Sequence, residues 1–149
     1  MQSGYVESLK IQRKKGQPFE SVPFIELLEG KGIKEDCHAL GGDRQIALIS
    51  SNSKQWISKQ ESEGLCFHKF QENIVTKGID YTLLREGDIL VTDHAAIEIG
   101  PYAKRCFPEC ILRQTYHPCE LTLGTSFGKV KKSGKIQAGA PIWQSDQKA

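Results

Sequence analysis

Short apolar segments separated by glycines and polar turns run along most of the chain. Residues 46–49 form a continuous apolar run, which predicts a buried strand. Residues 96–99 alternate, with Ile97 and Ile99 on one face and Glu98 on the other. The same reasoning predicts further strands at 5–12 (an edge strand), 22–28, 73–76, 89–92, 127–132 and 140–143, with a hairpin turn at 133–135 joining the last two. This pattern predicts a mainly β fold, a barrel or sandwich with few helices.

One segment has the character of a helix. Residues 51–63 are polar with Trp56 and Ile57 on one side, a serine or asparagine at 51–53 is suited to cap the start, and Gly64 ends the segment. The stretch before the apolar run, 29–43, holds four glycines and is predicted to be a functional loop rather than a regular element.

Length and composition restrict the class of protein. The 149 residues fit a single domain, 1–149, and 38% hydrophobic with 26% charged residues is ordinary for a globular protein. The net charge of +2 is too small to favour nucleic acid as a partner. No apolar run approaches the roughly 20 residues that span a bilayer, so no membrane association is expected. The chain start also lacks the pattern of a secretion signal.

The cysteines require a chemical explanation. Five are present, at positions 37, 66, 106, 110 and 119. An odd number without a secretion signal predicts free thiols in a reducing compartment, the cytoplasm, rather than disulfides.

Several blocks, in a fixed order, resemble a known family. They are GIKEDCH at 32–38, DRQIAL at 43–48, FQENIVTKGID at 70–80, LREGD at 84–88, AKRCFPEC at 103–110, FGKV at 127–130 and GKIQAG at 134–139. Together they resemble the MOSC domain, the C-terminal domain of molybdenum-cofactor sulfurases, and above all its short bacterial stand-alone type. The resemblance covers about residues 5–143.

The resemblance implies a pyruvate-kinase-type β-barrel and a link to the molybdenum cofactor. The implied roles are binding the cofactor, sulfurating it, or using it to reduce N-hydroxylated compounds. The implied partners are the cofactor or its enzymes, together with a sulfur donor or an electron-transfer protein. Three positions depart from the usual pattern: Glu35 and Ala103 stand where the family has glycine, and Ala140 follows Gly139 where the family has aspartate. These departures leave a non-catalytic zinc- or anion-binding barrel as a further alternative.

Cys106 is the candidate catalytic residue. Lys104 and Arg105 precede it, and nearby cations stabilise a thiolate. A thiolate can carry a sulfane sulfur as a persulfide, or it can ligate molybdenum as a soft donor. The competing interpretation is a buried structural thiol.

A zinc site is the alternative use of the same segment. Cys110, His117 and Cys119 complete, with Cys106, three thiols and an imidazole within 14 residues. Such a set is suited to tetrahedral Zn²⁺. Cys110 and Cys119 are otherwise candidates for a resolving thiol.

Four further residues are candidates for cofactor contact. His38 is expected to contact an anion or pterin while Asp36 orients its other nitrogen, unless the pair only locks the loop. The guanidinium of Arg44 suits a phosphate, unless it is an ordinary ion-paired arginine. The amide of Asn73 suits a heterocycle edge, although asparagine is also common at turns for backbone reasons. The resemblance predicts that Arg44, Asn73, Lys104 and Cys106 converge on one pocket, and Arg105 is a further candidate for cofactor contact.

Overall fold

The computed structural model describes residues 2–42, 45–58, 72–100 and 124–148. The strands are β1 Ser3–Ile11, β2 Glu20–Ser21, β3 Phe24–Leu28, β4 Gly32–Ile33, β5 Ile46–Ser50, β6 Ile74–Lys77, β7 Asp88–Val91, β8 Ala96–Ile99, β9 Thr125–Lys132, β10 Gly134–Gln137 and β11 Pro141–Lys148. Helix α1 spans Ser51–Ser58, and a 3-10 turn spans Tyr81–Leu83. Within the described ranges, no helix has the length and apolar character needed to cross a membrane.

Seven strands close into a barrel, in the order β1, β11, β7, β8, β9, β5 and β6, with β6 returning to β1. Six of the seven pairings are antiparallel, and only β5 and β6 run parallel. A parallel pair needs a crossover connection, and α1 begins that connection directly after β5. The prediction of a mainly β barrel with few helices is confirmed.

The barrel interior is filled by aliphatic side chains at alternate strand positions. Leu48, Ile74 and Ile97 come from three strands and are completely buried. A second sheet of β10, β3 and β4 adds Leu27 and Ile136 to the same core. Because each such side chain contributes about 1.5–3 kcal/mol when it leaves water, this shared core holds the small sheet against the barrel.

Three local predictions are wrong. The segment 29–43 was expected to hold no regular element, but it includes the short strand β4, which pairs with β3. The segment 5–12 was expected at a sheet edge, but β1 pairs with β6 on one side and β11 on the other. The turn expected at 133–135 is absent, because Gly134 begins β10, which pairs with β3, so 127–132 and 140–143 do not form a hairpin. The reason is Ile136, an apolar residue in a polar stretch, which is buried in the core. The predicted helix begins at Ser51 as expected and ends at Ser58, and 59–63 lie outside the described residues.

We expect Gly4→Ala to destabilise the protein because two backbones approach closely at this position. A methyl group there would overlap the carbonyl oxygen of Lys77 on the neighbouring strand β6. The expected loss in the free energy of unfolding is about 1–3 kcal/mol, the usual cost of overpacking. Urea denaturation measures it, with Ser3→Ala at the adjacent exposed position as the control. Equal stability of the two variants would contradict the close approach.

Candidate functional site

The described candidate residues lie at one end of the barrel, where β1 ends and β5 and β6 begin. Asp36 is joined to this end by the backbone N–H of Gln12, which donates to Asp36 Oδ1 at 2.7 Å. Asn73 is joined to it by its own Nδ2, which donates to the carbonyl of Lys10 at 3.2 Å. Seven other candidates lie outside the described residues: Arg44, Lys104, Arg105, Cys106, Cys110, His117 and Cys119. Their convergence with Asn73 therefore stays a prediction.

Asp36 and His38 form an oriented carboxylate–imidazole pair. The Asp36 side chain is completely buried, and its Oδ2 accepts from both the backbone N–H and Nδ1 of His38 at 3.0 Å. The carboxylate requires a hydrogen on Nδ1, so the neutral ring carries its lone pair on Nε2. The imidazole is half-exposed and stacks on Phe19, with ring centroids 6.3 Å apart. His38 is therefore arranged to accept a proton at Nε2 or, once protonated, to donate to an anion.

Cys37 lies beside this pair, and its thiol loses its proton less readily than that of an ordinary cysteine. Its Sγ donates to Oε1 of Gln12 at 3.3 Å and lies 3.7 Å from His38 Nδ1. Burial and the neighbouring Asp36 carboxylate raise the pKa of the Cys37 thiol. The sequence analysis proposed no function for this cysteine. Because its thiol is hard to deprotonate, Cys37 serves as a reference when the reactivity of Cys106 is measured.

Asn73 connects three strands. Its Oδ1 accepts from the N–H of Ala47 at 3.0 Å, and its Nδ2 donates to the carbonyl of Lys10. Its own N–H and carbonyl bond the same two residues, each at 2.8 Å. The side chain is buried, and both ends of its amide are engaged by backbone. These contacts are structural, and a role in binding a heterocycle stays a prediction.

Sequence reasoning missed an ionic cluster next to Asn73. The Glu72 carboxylate is buried, Lys10 Nζ lies 3.2 Å from its Oε1, and Lys54 from α1 contacts the same oxygen. Burial alone would raise the pKa of Glu72, but the hydrogen bonds and positive charges around the carboxylate lower it below the ordinary value. Burial likewise opposes the charge of Lys10, but the Glu72 carboxylate outweighs it and raises the pKa of Lys10.

These three residues attach α1 to the barrel. The only signal in the sequence was the position of Glu72 inside the FQEN block. No group of histidine, cysteine, aspartate or glutamate side chains suited to a metal ion occurs in the part of the chain that the structure describes. The expected zinc ligands at 106–119 lie outside it.

The architecture defines a class of protein: a closed seven-stranded barrel with a small sheet packed on it and a carboxylate–imidazole pair near the barrel end. A model of the MOSC domain matches residues 35–143, and the chain belongs to this family. The family is associated with molybdenum-cofactor-related proteins.

Solved structures share the fold. YuaD from Bacillus subtilis superposes with a TM-score of 0.69 at 19% identity, covering 99% of this chain and 100% of YuaD. YiiM from Geobacillus stearothermophilus superposes with a TM-score of 0.65 at 17% identity, covering 96% of this chain and 75% of YiiM. YiiM from Escherichia coli has a TM-score of 0.59 at 19% identity, covering 99% and 71%. The comparison with curated proteins found no match.

Proposed function

We propose that this protein binds the molybdenum cofactor, or carries sulfur to it, through Cys106. The observation that supports the proposal is membership of the MOSC family over a range, 35–143, that includes the Cys106 block. The compartment proposed for this function is the reducing cytoplasm, where the thiol stays free. The proposed partners are the cofactor or its enzymes and a protein that supplies sulfur.

One described residue supports contact with an anionic cofactor. His38 presents a half-exposed ring nitrogen whose orientation is set by the buried Asp36 carboxylate. A protonated His38 would donate to a phosphate or to a pterin oxygen, and the guanidinium of Arg44 is proposed for the same anion. Asn73 joins the ends of three strands at this end of the barrel.

The chemistry at the thiol follows from the same residues. The bound cofactor supplies a molybdenum centre that accepts soft sulfur ligands. Lys104 and Arg105 stabilise the Cys106 thiolate, which either binds as such a ligand or holds a sulfane sulfur as a persulfide.

Elemental analysis of protein purified anaerobically from a molybdate-fed host tests the proposal. We expect molybdenum at about one atom per chain if the thiol is a ligand. Cys106→Ser should lose most of the metal, because a hydroxyl is a poor ligand for it. Cys37→Ser is the matched control and should keep it, because a hydroxyl can still donate to Gln12.

The other outcomes separate the alternatives. Zinc at about one atom per chain, lost on replacing Cys110 or Cys119, would support the Cys3His site instead. Without metal, a sulfur carrier still requires Cys106 to alkylate with iodoacetamide at lower pH than Cys37. If Cys37 is modified first, Cys106 is a structural thiol and the proposal is wrong. Reduction of N-hydroxylated compounds would in addition require an electron-transfer partner.

A further inference from the structure

A cavity of about 310 Å³ opens between the end of β1 and the outer face of β3. Apolar side chains from both strands and the residues between them line it, among them Ile11, Val22 and Phe24. Phe24 is 44% exposed, and the ammonium group of Lys135 lies 4.1 Å from its ring centroid. The volume lies in the range of small-ligand sites, which are mostly apolar with a few placed polar groups.

Positively and negatively charged side chains surround these apolar residues. The Arg13 guanidinium donates to Glu20 Oε2 at 2.7 Å and to Glu35 Oε2 at 3.0 Å. Lys34 Nζ and Glu26 Oε2 face each other at 3.8 Å, beyond direct hydrogen-bond distance. The charged groups lining the cavity are thus two cations, Arg13 and Lys34, and two carboxylates, Glu26 and Glu35. A balanced set of this kind is complementary to a zwitterion rather than to an ion of one sign.

The backbone at Glu35 carries strain. Its φ is +70°, and it is the sole non-glycine residue with positive φ among residues 2–42, 45–58, 72–100 and 124–148. That conformation costs about 1–2 kcal/mol, and glycine, which MOSC domains usually have here, would avoid it. The ion pair with Arg13 is exposed to solvent and therefore weak. The strained backbone places the Glu35 carboxylate at the cavity.

We propose that this cavity binds a free amino acid with an apolar or aromatic side chain, or a small zwitterion of the same shape. Glu26 and Glu35 receive the ammonium group, Lys34 and Arg13 receive the carboxylate, and the side chain packs on Phe24. The proposal goes beyond the cofactor function and does not depend on it, because no cavity-lining residue belongs to the cofactor site.

Titration of the full chain with L-phenylalanine, followed by NMR of the backbone amides, tests the inference. We expect saturable shifts at Glu26, Lys34 and Glu35 with a Kd of about 1 mM, because the charges are exposed and the ligand is small. N-acetylphenylalanine lacks the ammonium group and phenylalaninamide lacks the carboxylate. Each should bind about 2- to 5-fold more weakly, the range for one exposed ion pair.

Variants locate the site. Phe24→Ala and Glu26→Gln, both on the outer face of β3, should weaken binding of phenylalanine, the first through lost apolar contact and the second by about 2- to 5-fold. Leu83→Ala and Glu86→Gln are the matched controls on an exposed loop elsewhere and should bind as the wild type does. Urea unfolding midpoints check that all four variants fold.

Three results would overturn the proposal. They are no saturable shift up to about 20 mM phenylalanine, equal binding of all three ligands, and unchanged binding by both β3 variants.

Discussion

Replacing Asn73 with alanine should lower the free energy of unfolding by about 2–4 kcal/mol, because a buried backbone N–H and a partly buried carbonyl lose this partner at once. The N–H of Ala47 and the carbonyl of Lys10 both bond the Asn73 amide. Asn73 itself is 4% exposed, so water does not readily replace the amide. Each unsatisfied buried group costs about 1–3 kcal/mol. Urea denaturation followed by circular dichroism measures the loss.

Two further variants test whether the Asn73 amide causes this loss of stability. Asn52→Ala changes an exposed asparagine of α1 and should stay within about 0.5 kcal/mol of the wild type. Asn73→Asp keeps an acceptor for Ala47 but loses the donor to Lys10, so it should also be destabilised. An alanine variant as stable as the wild type would show that the amide is not a structural bridge, and would leave ligand contact as its remaining role.

Replacing Glu72 with glutamine should cost about 2–3 kcal/mol at neutral pH, because two lysines lose their shared carboxylate. Breaking a fully buried pair costs about 3–5 kcal/mol, and the partial exposure of Lys10 and Lys54 reduces that figure. The expected loss is measured by urea unfolding. Glu86→Gln, at an exposed position, is the control.

The cluster also predicts how stability depends on pH. The pKa of Glu72 is lowered on folding, so its stabilisation is complete above its ordinary value of 4.5 and is lost as pH falls through the lowered pKa. The pKa of Lys10 is raised from 10.5, so its contribution is present below that value and is lost as pH rises through the raised pKa. Glu72→Gln should therefore flatten the acid side of the stability profile. A profile identical to that of the wild type between about pH 2 and 7 would contradict a charged Glu72.

Most strands were predictable because their apolar patterns are local. The run at 46–49 became β5 and the alternation at 96–99 became β8, since burial of one or both faces imposes these patterns directly on the sequence. Strand β10 was not predictable. Its four residues contain one apolar side chain, and it is a strand only because β3 offers a partner.

Some contacts at the candidate site were likewise predictable from the sequence, and others were not. Asp36 and His38 are two positions apart, so their contact is a local property that sequence reasoning anticipated. The cluster of Lys10, Lys54 and Glu72 comes from a strand, a helix and the start of another strand. Charged residues are usually solvent-exposed, and nothing local distinguishes these three from others.

The sequence alone was enough to predict the strands from their alternating apolar positions, the start of the helix at Ser51 and the family. It also supplied the hypothesis of a reactive cysteine. These depend on side-chain chemistry and on spacing of a few residues. Three features became visible only in the folded structure. They are that β1 is a wall strand of a closed barrel, that the Asn73 amide bonds the backbone of two other strands, and that Glu72 is buried between two lysines. Each of these features depends on which segments, distant in the sequence, come into contact in the fold. That is set by the summed burial of the whole core, and no short stretch of sequence encodes it.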